Sequence, residues 1–191
     1  MEEIRLIAKL RERDDKAFEY LVEEQKERIF NLCLNIVFSV EDAEELTMDT
    51  LIDSYMKIGQ FKGGSKLSTW IYSIAVNKCR EFLRYQSRKK RWGLSKSIFE
   101  ENGSVISLSS GSFLHPGVAA EDKERAEILM KALSQLPEKQ RIAFSMHHLQ
   151  GDNYDTIATS MGKTKSSVES LIHRAKTKLK EVLHNYYYGK I

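Results

Sequence analysis

Apolar side chains recur every three or four positions along nearly the whole chain, and no stretch alternates at period two for long, so the pattern predicts an all-α fold. One helix begins near Asp15 and places Phe18, Leu21, Val22, Ile29, Leu32, Cys33 and Ile36 on one side. Ser39 with Asp42 three residues on has capping-box spacing, and it announces a second helix carrying Ala43, Leu46, Thr50, Leu51, Ser54 and Ile58. Phe61-Lys-Gly-Gly-Ser-Lys breaks the period, after which a third long helix runs from about Ser68 to about Lys90. Further on, the pattern predicts four short helices over 124–136, 138–149, 154–161 and 165–183. Pro137 suits a first helical turn, and Gly151 and Gly162 stand where helices stop.

Between the two groups of helices the composition changes. Residues 93–120 contain seven serines, four glycines and a proline but only three charges, the mark of a linker. Its Ile98, Phe99, Val105, Ile106, Leu108, Phe113 and Leu114 are more apolar than a pure spacer needs, so it is expected to lie against something. A chain of 191 residues therefore divides into modules over 1–92 and 122–191 with a linker over 93–121. Charge divides the same way: residues 1–58 carry net −7, 59–92 net +8, 93–120 net −1 and 121–191 net +3. A near-neutral total of +3 thus hides an acidic front end followed by a basic belt.

Several classes drop out. At 41% hydrophobic and 30% charged the chain has a core to bury. No apolar run approaches the roughly 18–20 residues that span a bilayer. Met1-Glu-Glu-Ile is acidic where a signal peptide is basic, so a cytoplasmic protein without membrane insertion is expected. Cys33 and Cys79 have no metal-site or redox spacing and fall on or beside apolar helix faces, which favours buried thiols. There is no HExxH, no GxSxG and no metal-spaced Cys/His set, and adjacent His147 and His148 cannot face one ion from the same side of a helix. Neither an enzyme nor a cofactor is expected.

The stretch 154–171 has the logic of a helix-turn-helix: small Ala158 permits close approach, Gly162 supplies a left-handed turn, and Ile157, Met161, Val168 and Leu171 stand between the helices. On the last helix, Val168, Leu171, Ile172, Ala175, Leu179 and Val182 share the inward face. That leaves Lys165, Ser166, Ser167, Ser170, His173, Arg174, Thr177 and Lys178 as candidates for duplex DNA, short hydroxyls reaching base edges and cations holding phosphates. The plainer reading is a solvated helix in a protein-binding bundle.

In the first module, the helix from Ser68 has Ile71, Ile74, Ala75, Lys78 and Phe82 as its expected buried arc, with Trp70, Ser73, Asn77, Arg80, Arg84 and Arg88 in a stripe opposite. An indole among cations, beside a loop holding Lys62, Ser65, Lys66, Ser68 and Thr69, is the combination single-stranded nucleic acid uses: stacking on the ring is worth about 1–3 kcal/mol per base while the cations track the backbone. A core Trp with a merely solvated stripe fits the periodicity equally, and the run Arg88-Lys-Lys-Arg91 tips the balance towards a polyanion. The Lys62-Gly-Gly-Ser-Lys66 loop lacks P-loop spacing but is short enough to surround an extruded base.

The helix over 41–58 places Glu45, Asp49 and Asp53 outward with Met48 and Ile52 beside them. Apolar side chains in a charged rim describe a protein-docking surface, and its negative field repels DNA. The alternative is that the N-terminal helix covers Met48 and Ile52.

Three stretches together, Asp42-Ala-Glu-Glu-Leu-Thr-Met-Asp-Thr-Leu, Phe61-Lys-Gly-Gly-Ser-Lys-Leu-Ser-Thr-Trp-Ile-Tyr-Ser-Ile-Ala, and Leu136-Pro-Glu-Lys-Gln-Arg followed by the helix-turn-helix, resemble bacterial RNA polymerase sigma factors of the extracytoplasmic-function (ECF) type over residues 10–185. The resemblance implies a region 2 bundle and a region 4 helix-turn-helix joined by a flexible linker that threads the polymerase. It implies that Glu45, Met48, Asp49, Ile52 and Asp53 dock on the clamp helices of the largest subunit of core RNA polymerase, and that region 4 meets the flap of the second largest. The 62–69 loop and the Trp70 stripe would capture a flipped base and the opened strand of the −10 element, and region 4 would read the −35 element of promoter DNA. An anti-sigma factor is the further partner it implies. Gly64 stands where many relatives are acidic, and Glu169 and Leu171 where many are basic, so promoter sequence does not carry over. The rival functions are a stand-alone helix-turn-helix regulator and an adaptor that binds protein alone.

Overall fold

The computed structural model describes residues 2–91 and 120–188, so the expected linker lies outside the described residues except for its last two positions. The described residues form eight α-helices and no strand: α1 (Glu3–Arg11), α2 (Asp15–Val37), α3 (Val40–Met56), α4 (Leu67–Arg91), α5 (Ala120–Ser134), α6 (Glu138–Phe144), α7 (Tyr154–Met161) and α8 (Lys165–Tyr188).

Local chemistry sets most of the boundaries. Asp14 accepts from the Ala17 amide at 2.9 Å to open α2, and Phe38 closes that helix in the left-handed region at φ 60°. Ser39 then caps α3 as its spacing predicts, accepting from the Asp42 amide at 3.2 Å. Within α3 the buried hydroxyls of Thr47, Thr50 and Ser54 donate to the carbonyls of Ala43, Leu46 and Leu51 at 2.6, 2.6 and 2.7 Å, which lets a helix with polar inner positions pack without an unmet hydrogen bond. Helix α3 ends two residues short of Ile58, which is buried in a following 3-10 turn, Ile58–Gln60.

The periodicity reading omitted α1, although Leu6 and Leu10, one turn apart, are its two buried residues. The chain leaves α1 through Arg13, held at φ 63°. From there Nη1 and Nη2 of Arg13 donate to the carbonyls of Tyr55 and Met56, at 2.6 and 3.1 Å, and so satisfy the end of α3. The helix expected over 138–149 is divided, since a π-helical turn, Ser145–Leu149, follows α6. Gly162 closes α7 at φ 61°, the left-handed turn that its position predicts.

The two groups of helices share one core. Leu21, Ile29, Leu32 and Ile36 of α2, Leu51 of α3, and Ile71, Tyr72 and Val76 of α4 join Ile142 of α6, Met146, Ile157 of α7 and Ile172 of α8 in a single cluster. Ala132, Leu133, Leu136, Ala175 and Leu179 form a smaller one between α5 and α8. Cys33 and Cys79 are both fully buried. The contact with Cys33, together with burial, holds the Cys79 thiol well above its usual pKa.

Leu51 has no exposed surface, so Leu51→Ala is expected to cost about 3 kcal/mol, against about 1 kcal/mol for loss of the α3 cap in Ser39→Ala. Urea unfolding of the full chain measures both. Equal costs would contradict the placement of Leu51 at the centre of the first bundle.

Candidate nucleic-acid interface

Three surfaces can be built up from these helices. On α3 the turn-by-turn burial of Ala43, Leu46, Thr50, Leu51 and Ser54 forces Glu45, Met48, Asp49 and Ile52 outward. Met48 and Ile52 are 45% and 48% exposed, and Met56 one turn on is also exposed, so the N-terminal helix does not cover them. Asp53 is half-buried, because Lys57 at 2.8 Å and Lys78 of α4 at 3.2 Å both pair with it. Those ammonium groups hold the Asp53 carboxyl below the usual carboxylate range. Lys78 also reaches Asp49 at 3.4 Å, which accounts for a lysine on the inner side of α4.

The second surface is α4 with the loop before it. Lys62, Gly63, Gly64 and Lys66 are exposed, Ser65 and Ser68 are half-buried, and Gly63 takes φ 74°. Glu3 of α1 accepts from the Leu67 amide at 3.3 Å, an anion seated at the start of α4. Trp70 is half-buried with its ring 5.4 Å from Phe61, neither interred nor fully outward. Asn77, Arg84 and Arg88 are exposed.

The expected stripe is therefore not continuous. Thr69 is buried, its carbonyl accepting from Ser160 of α7 at 3.1 Å, and Ser73 and Arg80 are half-buried. Arg80 pairs with Glu138 of α6 at 3.1 Å. The buried arc is also wider than expected: Tyr72, Val76 and Cys79 are fully buried, while Ile74 and Phe82 are half-buried. The physical cause is the second group of helices, which packs on α2 and α4 and gives α4 a second buried side that helical periodicity within one module cannot reveal.

The third surface is α8. Asn153 caps α7 by accepting from the Thr156 amide at 2.8 Å, and Thr164 does the same for α8 with the Ser167 amide at 3.3 Å. Val168, Leu171, Ile172, Ala175 and Leu179 are buried as the helical period requires. Lys165, Ser166, Ser170, His173, Arg174, Thr177 and Lys178 are exposed together on the opposite side, and Ser167 is half-buried beside them. Lys165 pairs with Asp155 at 3.1 Å and Lys178 with Glu181 at 3.4 Å, both in the open. Behind this face an apolar groove of about 500 Å³ is lined by Leu129, Phe144, Leu179 and Leu183, with Lys176, Lys180 and His184 around it.

Sequence reasoning missed the seam between the two groups of helices. Arg28 of α2 donates to the Gln150 carbonyl at 3.0 Å, lies 3.6 Å from Asp152, and sits 5.4 Å over the Tyr72 ring. Burial raises the Asp152 carboxyl above its usual value and pushes the Tyr72 phenol up to about 12. Nδ1 of His147 donates to the Asp152 carbonyl at 2.9 Å. Arg141 of α6 is buried with its guanidinium 4.6 Å over Phe38. Arg28 and Arg141 look like ordinary surface cations in sequence, and only the spatial arrangement gives them partners.

A bundle with an anionic, partly apolar face and a cationic face, followed by a helix-turn-helix with an open polar side, defines a DNA-binding protein that also docks on another protein. Comparison with known proteins gives the family. Residues 21–89 match Sigma-70 region 2, and residues 126–179 match Sigma-70, region 4. The chain is 26% identical over 188 residues to the RNA polymerase sigma-H factor of Pseudomonas aeruginosa, covering 93% of this chain and 92% of that one. It is 29% identical over 175 residues to the ECF RNA polymerase sigma-E factor of Escherichia coli K12, covering 90% and 88%. In fold it is similar to CnrH, solved in complex with the cytosolic domain of CnrY, with TM-score 0.69 and 18% identity over 95% of this chain and 96% of that one. It is also similar to the sigma factor RpoE of Bartonella quintana, solved with the anti-sigma factor NepR, with TM-score 0.66 and 23% identity over 88% and 97%. The chain belongs to the sigma-70 family, as a sigma factor of the ECF type. Sigma factors are not enzymes.

Proposed function

We propose that each surface serves one step of promoter-specific transcription initiation. As an ECF sigma factor the chain binds RNA polymerase and directs it to promoters. In our reading, residues 1–92 dock on polymerase and hold the melted −10 strand, residues 122–191 read the −35 duplex, and 93–121 connects them.

The observation that carries this reading is the exposed Met48 and Ile52 pair beside Glu45 and Asp49. A stand-alone helix-turn-helix regulator has no use for such a face, whereas an apolar pair in an anionic rim suits the clamp helices of the largest polymerase subunit: the pair supplies affinity and the carboxylates orientation. Asp53 contributes from within its pairs with Lys57 and Lys78. The groove lined by Leu129, Phe144, Leu179 and Leu183 suits the flap of the second largest subunit.

Single-strand capture falls to Lys62, Ser65, Lys66 and Ser68 of the loop and to Trp70, Ser73, Asn77, Arg80, Arg84 and Arg88 of α4. Unstacking a base costs a few kcal/mol, which stacking on an aromatic ring and phosphate contacts offset. Thr69, buried under Ser160, supports the loop through its backbone. On α8, Lys165, Ser166, Ser167, Ser170, His173, Arg174, Thr177 and Lys178 face the −35 duplex. An anti-sigma partner and a cytoplasmic location complete the proposal; no described helix is long and apolar enough to cross a membrane.

Runoff transcription with purified core polymerase tests the whole: transcripts from a cognate promoter should require the chain, and tight operator binding without polymerase would favour the stand-alone regulator. Replacing both Met48 and Ile52 by Ala should weaken polymerase binding by about 2 kcal/mol or more, roughly thirtyfold, with folding stability little changed. Trp70→Ala and Arg84→Ala should slow strand opening in a fluorescence melting assay while sparing polymerase binding; unchanged opening in both would remove α4 from the strand. Arg174→Ala should cost about 1–3 kcal/mol in −35 duplex affinity measured by anisotropy.

A further inference from the structure

A cleft of about 490 Å³ opens at the carboxyl end of α3, lined by Arg11, Arg13, Met56, Lys57, Gly59 and Gln60. Its volume falls in the roughly 300–1,000 Å³ range of ligand clefts. No step of the proposed function uses it. Charge reverses along α3 on the way to it: Glu45 and Asp49 are exposed towards the middle of the helix, while Arg11, Arg13 and Lys57 are exposed around its end. A helix end presents unpaired carbonyls, which repel anions. Here they are covered, since Arg13 donates to the carbonyls of Tyr55 and Met56 at 2.6 and 3.1 Å. Lys57 shares Asp53 at 2.8 Å, whereas no carboxylate pairs with Arg11 or Arg13 among the described residues.

Both guanidinium groups are held in place by the backbone. Nη2 of Arg11 donates to the Phe61 carbonyl at 2.8 Å, and Arg13 is aimed at α3 from a left-handed residue at φ 63°, a conformation uncommon away from glycine and a form of strain that collects at ligand sites. A guanidinium has five donors, so each retains several for an anion. The cleft is also continuous with the surface assigned to strand capture. Phe61, the acceptor of Arg11, directly precedes Lys62 of the loop, and its ring stands 5.4 Å from Trp70. A single strand carries a phosphate at every nucleotide, so a strand seated on Trp70 and the 62–66 loop has phosphates to offer along the path through Phe61 to Arg11 and Arg13.

Resting on the strand-capture role proposed above, we propose that this cleft is a second phosphate site for the same unpaired strand: Arg11, Arg13 and Lys57 hold the sugar-phosphate backbone of the nucleotides next to those on the 62–66 loop and Trp70, with the exposed Met56 side chain against a base or sugar. Two guanidinium groups and an ammonium present donors only, so the cleft fixes the position of the strand and its cations read no sequence. A free nucleotide carries the same phosphate chemistry, and the test separates the two sources.

Fluorescein-labelled oligothymidylates of 4 and 12 nucleotides are titrated with the full chain and followed by anisotropy over a range of salt. Gly59→Glu is the discriminating variant: a Cβ at Gly59 meets nothing within 4 Å, so the substitution places a carboxylate in the cleft without removing any hydrogen bond that holds the fold. It should weaken the 12-mer about tenfold and lower the slope of log affinity on log salt by about 1.4, at roughly 0.7 for each of two strand phosphates. The 4-mer, short enough to be satisfied by the loop and Trp70, should change less than about threefold. Gly59→Gln, of the same size but neutral, and Lys26→Gln, which removes one exposed charge of α2 outside the cleft, should both stay within about twofold. Arg11→Gln keeps an amide donor for the Phe61 carbonyl and should act like Gly59→Glu. An unchanged 12-mer in both Gly59→Glu and Arg11→Gln overturns the proposal. So does an equal loss in Lys26→Gln, which assigns the effect to net charge. Thymidine 3′,5′-bisphosphate binding as tightly as the 12-mer, or a 4-mer that loses as much as the 12-mer in Gly59→Glu, makes the cleft a free-nucleotide site and overturns its continuity with the strand path. Trp70→Ala separates the two readings: if it leaves both oligonucleotides unchanged, the strand-capture role falls; if it weakens both while Gly59→Glu and Arg11→Gln are silent, only the cleft proposal falls.

Discussion

Lys78 joins two helices of opposite electrical character. It projects from α4, a helix ending in a run of cations, and pairs with Asp49 and Asp53 of α3, whose outer face is anionic. With Leu51 and Ile71 buried in the same bundle, this contact ties an anionic surface to a cationic one. In the function proposed above, a partner protein on α3 and a nucleic acid on α4 are held at the same time without competing for the same charges. The order of the chain, acidic segment then basic segment, becomes a spatial separation only because α3 and α4 pack side by side.

The stability of the structure is unevenly distributed. Within the first bundle, Leu21, Ile29, Ile36, Leu51 and Ile71 are fully buried and the buried hydroxyls of α3 are all bonded to its own carbonyls. At the seam with the second group, apolar packing of Met146 and Ile157 is combined with polar atoms that lack partners and with ion pairs in contact with solvent. The first bundle is not wholly satisfied either, since Gln25 Oε1 and Asn35 Oδ1 of α2 are buried without a hydrogen-bond partner among the described residues.

Much of this was legible in the sequence, for reasons that can be named. Ser39 and Gly162 act within a few residues of themselves, so their spacing alone placed the start of α3 and the end of α7. The outward position of Met48 and Ile52 follows from the 3.6-residue period once Leu46 and Leu51 are taken as inner positions. Helix α1 was missed because its two core residues, Leu6 and Leu10, lie in a short, charge-dense stretch. The α4 stripe was read as unbroken because periodicity gives a helix one inner side, and α4 has two. Nothing local to Arg80 or Thr69 announces Glu138 or Ser160, which are 58 and 91 residues away in the chain. The π-helical turn, likewise, has no signal in the spacing of its residues, of which Ser145 and Met146 are buried.

The left-handed Arg13 gives the amino-terminal segment a remote influence. Its guanidinium ties off the last carbonyls of α3, and its ring contact with Tyr55 steadies the same turn. Trimming the first thirteen residues would take away no part of the anionic α3 face that carries Met48 and Ile52, yet it would let the end of α3 fray from Tyr55 onward and unseat Met56. The leading residues thus act as a splint for a surface to which they contribute no atoms.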